Sequence, residues 1–160
     1  MSEGQSETGR KFLIVVDRSA ELKAALRYAC RRAAHTKGVI ALFHAVPPAE
    51  FHHFASVADL MEREARSEGE RLLQEVAAEV HRQTGKFPSL YLREGDTTEQ
   101  LLKVIAEQAN LSVLVLGAGI GSEGPGPLVS GLSGRLSGKI RVPVTIVPGD
   151  LDDARIDALS

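Results

Sequence analysis

The amino-acid sequence predicts an α/β protein built on a doubly wound, five-stranded parallel sheet with four helices. Five apolar runs of strand length alternate with segments whose apolar residues recur at helical spacing. Several of these runs are apolar at successive positions, which is typical of parallel strands that are covered on both faces. Right-handed crossovers between such strands place the helices on both sides of the sheet.

The first strand, first helix and second strand form one βαβ unit. Residues 12–16 (FLIVV) predict a central strand, and Asp17 ends it. Ser19 is placed to cap the following helix, which we expect to run to about His35. Residues 39–46 (VIALFHAV) predict a second buried strand, which two prolines end.

The middle of the chain predicts a long helix, an edge strand and a third helix. Apolar residues at helical spacing between residues 57 and 80 predict the long helix, and Gly69 within it is placed to allow a kink. Residues 89–93 alternate apolar and polar side chains, which suits a sheet edge. Thr97 or Thr98 is the predicted cap of the third helix.

The last part of the fold is a strand, a glycine-rich loop, a fourth helix and a fifth strand. Residues 112–116 predict the fourth strand, and four-residue apolar spacing from Leu128 to Ile140 predicts the fourth helix, although serines and glycines between these positions are poor helix formers. Residues 142–147 predict a fifth strand with prolines at its ends, as suits a sheet edge. The loop between the fourth strand and the fourth helix contains Gly117, Gly119, Gly121, Gly124 and Gly126.

The chain is expected to hold one domain over residues 11–148. Its 160 residues suffice for a single substantial core. Residues 1–10 contain no large apolar side chain and predict a flexible N-terminal tail. Residues 149–160 predict an acidic C-terminal tail that forms one amphipathic turn or stays loose.

Composition excludes several classes of partner. A formal net charge of -2 gives no excess of basic residues to neutralise a nucleic-acid backbone. The apolar runs are shorter than the roughly 18 residues that a membrane-spanning helix needs, and the polar N-terminus does not resemble a secretory signal. We therefore expect a cytoplasmic protein that binds neither nucleic acid nor membrane. Cys30 is alone and lies in an alanine-rich helical pattern, which favours a buried structural thiol over a reactive one.

Asp17 and the glycine-rich loop are the candidate binding features. Doubly wound sheets bind ligands at the carboxyl ends of the strands where the winding reverses, so Asp17 and Gly117 should face one crevice. Backbone N–H groups of the loop can hold a phosphate, or the loop is a tight connection that binds nothing. Asp17 can accept hydrogen bonds from ribose hydroxyls or contact a metal–phosphate group, or it caps the first helix.

Two common nucleotide motifs are excluded by spacing. A dinucleotide fingerprint G-x-G-x-x-G would require glycine where Ser122 stands, and the loop follows the fourth strand rather than the first. The Gly-Lys pair that ends in Lys139 resembles the end of a phosphate-binding Walker loop, but Ile140 replaces the serine or threonine that binds magnesium. Neither a Rossmann dehydrogenase nor a Walker-type NTPase is indicated.

The sequence indicates neither a catalytic centre nor a metal site. Ser19 and Ser130 have no evident paired base, and no G-x-S-x-G nucleophile motif occurs. His52 and His53 are adjacent, but no cysteine or histidine lies at a ligand-like spacing from them. We therefore expect no catalytic and no metal-binding residues.

Several segments between residues 11 and 148 resemble the universal stress protein family. FLIVVDRS is similar to the family's first strand and Asp-x-Ser turn, ALFHAV to its second strand, VLVLG to its fourth strand and RVPVTIVP to its last strand. The resemblance implies a Rossmann-like parallel sheet of order 3-2-1-4-5, a homodimer paired through the last strand and, in one branch of the family, bound ATP or a related adenine nucleotide. An apolar edge strand would otherwise be an exposed template for pairing.

The ATP-binding branch carries the pattern G-x-x-G-x9-G-[ST]. This chain instead reads G-x-x-x-G-x9-G from Gly117 through Gly121 to Gly131, and Leu132 follows. The resemblance implies a dimer interface at Val142, Val144, Thr145, Ile146 and Val147. It implies nucleotide-binding positions at Asp17, Ser19, Ala45, Leu116, Gly117, Gly119, Gly121, Gly126, Ser130, Gly131 and Leu132.

Two functions follow from the resemblance. The first is a dimeric stress-response regulator that binds an adenine nucleotide (ATP, ADP or AMP), with or without Mg²⁺, and does not act as an enzyme, although weak ATPase activity is left open. The alternative is a dimeric interaction protein of the branch that binds no nucleotide. In that branch the loop and the acidic tail would contact a protein partner whose identity the sequence does not give.

Overall fold

Five strands form one parallel sheet of order β3-β2-β1-β4-β5. The computed structural model describes residues 9–48 and 55–160. Both the doubly wound parallel sheet and its order are confirmed. The strands are β1 (Lys11–Val15), β2 (Val39–Val46), β3 (Ser89–Glu94), β4 (Leu111–Ala118) and β5 (Val144–Pro148).

The described chain contains five α-helices rather than the four predicted. The additional helix lies in the segment predicted as a C-terminal tail, where the Asp152 side chain accepts a hydrogen bond from the backbone N–H of Arg155 at 2.7 Å and Ile156 is buried. No helix in these parts of the chain is long and apolar enough to cross a bilayer. The helices are α1 (Leu22–Thr36), α2 (Ala55–Thr84), α3 (Thr97–Glu107), α4 (Pro127–Ser133) and α5 (Asp153–Leu159).

The core has two apolar clusters, one on each face of the sheet. Successive side chains of a strand point to opposite faces, so Ile14 and Leu42 pack in the cluster of α1 and α2, whereas Leu13 and Phe43 pack in the cluster of α3 and α4. All four side chains are fully buried. Burial on both faces explains why the first two strands read as continuous apolar runs.

Cys30 lies inside the first cluster and is buried. Burial raises the pKa of its thiol to about 12. The prediction of a structural thiol is therefore confirmed. The expected flexible tail lies mostly in residues 1–8, and His52 and His53 lie in residues 49–54; both ranges are outside the described residues.

Gly69 allows α2 to pack closely on β2. A Cβ at this position would lie 2.9 Å from Cγ2 of Val46 and 3.2 Å from Cδ2 of His44. The helix is continuous through Gly69. This glycine therefore serves packing beside the end of β2.

Asp96, rather than Thr97 or Thr98, caps α3. Its carboxylate accepts a hydrogen bond from the backbone N–H of Glu99 at 3.0 Å. The prediction of a threonine cap was wrong because the aspartate just before the threonines already occupies the extended N-cap position.

The predicted fourth helix is much shorter than its apolar spacing suggested. After α4, Gly134 leaves the helical conformation, and a short 3₁₀ turn follows at Ser137–Lys139. Leu132 is buried, and Leu136 and Ile140 pack partly against the same core cluster. The four-residue spacing thus identified side chains that face the core, while the serines and glycines between them do not sustain a helix.

Two strand boundaries bear on the predicted site and interface. The fourth strand extends to Ala118, so Gly117 lies in the strand beside Val147 rather than in the loop. The fifth strand begins at Val144, so Val142, predicted within it, precedes it and packs partly against the core. The longer fourth strand moves the start of the loop two residues toward the C-terminus.

Candidate functional site

A cavity of about 460 Å³ opens where the carboxyl ends of β1, β2 and β4 meet. Its size is in the range of small-molecule sites. The start of α3 and the segment that leads into α4 close its sides. The lining residues are Val15, Val16, Asp17, Ser19, Glu21, Leu22, His44, Ala45, Asp96, Thr97, Thr98, Leu116, Gly117, Pro125, Gly126, Pro127, Leu128 and Val129.

Asp17 closes a tight turn at the mouth of the cavity. Its Oδ1 accepts hydrogen bonds from the Ser19 backbone N–H, at 2.9 Å, and from the Ser19 hydroxyl. The first helix starts only at Leu22, and its N-cap residue Glu21 makes no side-chain capping bond. Neither Ser19 nor Asp17 therefore caps α1, because the turn uses Oδ1 and the hydroxyl before the helix begins. The second oxygen, Oδ2, is left to accept from a ligand.

His44 is a half-buried part of the cavity wall at the end of β2. Its Nδ1 lies 2.7 Å from the carbonyl oxygen of Val16. A carbonyl oxygen only accepts, so Nδ1 carries the proton and donates it, and the ring is tied to the end of β1. α2 passes close to the ring at Gly69, where an added Cβ would lie 3.2 Å from Cδ2 of His44. The hydrogen bond to Val16 thus orients the ring in the cavity wall.

The glycine-rich loop folds back on itself. The backbone N–H of Gly119 donates to the carbonyl of Pro125 at 3.1 Å, and that of Gly124 donates to Gly121 at 3.1 Å. Gly126, the N-cap of α4, has φ of 106°, which L side chains rarely adopt. The loop is therefore a closed turn that carries Pro125 and Gly126 to the cavity wall.

Only part of the predicted nucleotide-binding set lines the cavity. Gly121 has open space where a Cβ would be, Ser130 is on an exposed face of α4, and Leu132 belongs to the buried core. Gly119 and Gly131 also lie off the cavity wall, and a binding role for these five positions stays a prediction. The predicted residues that line it are Asp17, Ser19, Ala45, Leu116, Gly117 and Gly126.

Sequence reasoning missed several lining residues. Residues 96–98 directly follow β3, and the carboxyl ends of parallel strands share one edge of a sheet, so their position could have been found. The same holds for His44, near the end of β2. No such signal identifies Glu21, because the direction of its side chain depends on the turn that Asp17 closes.

The charged side chains that the structure describes on the cavity wall are acidic. Asp17, Glu21 and Asp96 line it, and no lysine or arginine of residues 9–48 and 55–160 does. Among residues 9–48 and 55–160, no group of three or more histidine, cysteine, aspartate or glutamate side chains is arranged to hold a metal ion. The wall thus offers hydrogen-bond acceptors to hydroxyl and amino groups, but no basic side chain to a phosphate.

A carboxyl pair lies between α2 and the end of β3. Hydrogen bonding with the neighbouring Glu94 carboxyl raises the pKa of Glu62. The charge of Glu94 and that of Asp59 raise it further. The pair adds to the acidic character of this end of the molecule.

Comparison with known proteins identifies the family of the chain. The sequence profile of the universal stress protein family matches residues 9–148. No curated protein matches the chain in sequence. The matched range covers all five strands and the whole cavity wall.

Solved structures share the fold. The universal stress protein UspA from Lactobacillus plantarum is 16% identical, with a TM-score of 0.71, over 86% of this chain and 97% of its own. A universal stress protein family protein from Arabidopsis thaliana, solved with AMP bound, is 16% identical, with a TM-score of 0.59, over 87% and 91%. The universal stress protein from Archaeoglobus fulgidus in complex with dAMP is 14% identical, with a TM-score of 0.57, over 86% and 97%. Together with the profile match, which covers most of the chain, the shared fold shows that this chain belongs to the universal stress protein family.

Proposed function

We propose that this chain binds an adenine nucleotide in the cavity at the carboxyl ends of β1 and β4 and acts as a cytoplasmic stress-response regulator rather than an enzyme. The observation that carries the proposal is the cavity itself, which joins an available carboxylate oxygen of Asp17 to an apolar wall. Similar proteins from Arabidopsis thaliana and Archaeoglobus fulgidus hold AMP and dAMP. These relatives support a ligand of the same class here.

Asp17 would contact the ribose of the ligand, and the apolar wall would contact its adenine base. Ribose hydroxyls are hydrogen-bond donors, and Asp17 Oδ2 is an acceptor at the cavity mouth. Ala45, Leu116 and Val129 supply apolar surface against which the flat face of adenine can be buried. The resemblance to the family implies nucleotide-binding positions at Asp17 and Ala45, and both residues line this cavity.

A calorimetric titration of the full chain with AMP tests the proposal. We expect saturable binding that Asp17→Asn weakens by about tenfold, because the amide keeps one acceptor for the turn but loses the charge on the oxygen that faces the ligand. The matched control is Asp150→Asn, which makes the same charge change at an exposed position off the cavity wall. Absence of heat at millimolar AMP, or equal loss in both variants, would contradict the proposal.

We also propose that two copies pair through β5. This strand is an edge of the sheet, with β4 as its one neighbour, so a row of its backbone groups is left unpaired. Ile146 is 41% exposed on it, whereas Val147 is buried in the chain's own core. Thr145 and Ile146 would therefore carry the contact more than Val147. Sedimentation of Ile146→Lys, which we expect to be monomeric, tests the pairing.

The second candidate function is an interaction protein that binds no nucleotide. It is favoured by the loop, whose Gly119 and Gly124 N–H groups are engaged within the loop itself. Its partner would be a protein that contacts the loop and the acidic C-terminal segment. Adenine absorbance released from the purified protein on denaturation would count against this function. ATP turnover that Asp17→Ala abolishes would instead favour an enzyme.

A further inference from the structure

Glu21 is held between the cavity and the glycine-rich loop. A Cβ on Gly117 would lie 3.1 Å from Glu21 Cβ, and one on Gly149 would lie 2.6 Å from it. A Cβ on Gly119 would lie 3.5 Å from Glu21 Oε1. Backbone without side chains thus surrounds the stem of Glu21, and its carboxylate is directed at the first part of the loop. At Gly149 a Cβ would collide with the side chain of Glu21, and at Gly117 it would collide with the Glu21 backbone carbonyl oxygen, at 2.6 Å.

The carboxylate of Glu21 lies where the phosphate chain of a bound nucleotide would approach the loop. Among residues 9–48 and 55–160, no lysine or arginine lines the cavity to offset its charge, and Asp17 and Asp96 add charge of the same sign. Glu21 is the N-cap residue of α1, so its side chain starts at the end of that helix that could otherwise attract an anion.

Two of the N–H donors of the loop are already used inside the loop. The N–H groups of Gly119 and Gly124 donate to carbonyls inside the loop. Pro125 and Pro127, which frame its exit toward α4, have no N–H to donate. Each added phosphate would bring negative charge to a wall whose charged side chains, in the described part of the chain, are acidic.

We propose that Glu21 is a specificity-determining residue that selects against polyphosphate, so that the cavity takes an adenine nucleoside or its monophosphate in preference to free ATP. The inference rests on the proposed function of the same cavity. Like charges a few ångströms apart in a partly enclosed site repel strongly, and the repulsion grows with the charge of the ligand. A Mg²⁺ ion on the phosphates would reduce the selection by lowering that charge.

Calorimetry with adenosine, AMP and ATP, at low salt and without Mg²⁺, tests the selection. We expect the unmodified chain to bind adenosine and AMP more tightly than ATP. Glu21→Gln, which keeps the shape of the side chain, should raise the affinity for ATP by about tenfold or more, raise that for AMP less and leave that for adenosine unchanged. Glu123→Gln is the matched control, since it removes a charge from an exposed loop position off the cavity wall and should preserve the ratio.

Salt provides a second readout that needs no variant. Screening should raise the ATP-to-AMP affinity ratio of the unmodified chain, and that rise should be smaller in Glu21→Gln. A ratio that neither Glu21→Gln nor salt changes, or tighter binding of free ATP than of AMP by the unmodified chain, would overturn the selection while binding itself stands. Absence of heat with all three ligands in every variant would overturn the proposed function, and the selection with it.

Discussion

Ile156→Ala tests whether α5 is part of the fold rather than a tail. Ile156 is 1% exposed and packs in the core cluster that α1 and α2 form on one face of the sheet. Truncation of a buried isoleucine to alanine removes apolar burial and leaves a cavity, at a cost of about 2–5 kcal/mol. Because α5 has only seven residues, its local release limits the loss, and we expect a value near the lower end of this range.

Urea unfolding measures this cost directly. We expect Ile156→Ala to lower the free energy of unfolding by about 2 kcal/mol with little change in the slope against urea. Leu159→Ala is the control, because the leucine lies on the same helix but is 49% exposed, and it should change stability by less than about 0.5 kcal/mol. Equal effects of the two variants would refute the docked position of α5.

Two further outcomes follow from named contacts. Arg27 donates two hydrogen bonds, of 2.8 and 2.9 Å, to the carboxylate of Asp157 and lowers the pKa of that carboxyl from 3.8. The ion pair therefore stabilises the fold fully above pH 3.8, and this stabilisation is lost as the pH falls through the lowered pKa. Asp157→Asn should therefore lower the urea midpoint at about pH 7 and have a smaller effect at about pH 2, and equal effects at both would contradict the ion pair. Gly117→Ala would place a Cβ 2.6 Å from a backbone carbonyl oxygen just before α1, so we expect a loss of about 1–3 kcal/mol by thermal unfolding and weaker binding of AMP. Gly121→Ala, which meets open space, is the control; its loss of the same stability would contradict the account of Gly117.

The sheet could be predicted because its strands are buried on both faces. A run such as residues 12–16 is apolar at successive positions, which is typical of a strand at the centre of such a sheet, and the glycines and prolines between runs mark the turns. The C-terminal helix could not be predicted from its own residues in the same way. Its burial depends on Ile156 meeting a surface of α1 that exists only once the sheet has formed.

The fourth helix shows the limit of apolar spacing as evidence for local structure. Leu132, Leu136 and Ile140 all contact the core as the spacing predicts, yet only the first lies in α4. Spacing reports which side chains face inward. Whether the backbone between them is helical depends on serine and glycine propensities and on where Gly134 ends the turn.

The position of the site could be predicted from the sequence, but the acidic character of its cavity wall could not. Strand ends place Asp17 and Gly117 at one edge of a parallel sheet, and the structure brings both to one cavity. The direction of Glu21 follows from the hydrogen bonds between Asp17 and Ser19 and from close backbone packing at three glycines, which are tertiary contacts. Two N–H groups of the loop also donate to carbonyl oxygens within the loop, and residue spacing alone does not reveal these hydrogen bonds.

The most direct test of nucleotide binding at this cavity is backbone amide NMR of the full chain titrated with AMP. We expect the largest saturable shifts at the ends of β1, β2 and β4 and at the start of α3, with Asp17, Ala45, Thr98 and Gly117 among them. Residues of α5 and the far ends of the strands should stay unchanged. Absence of saturable shifts, or shifts centred away from the cavity, would contradict binding at this site.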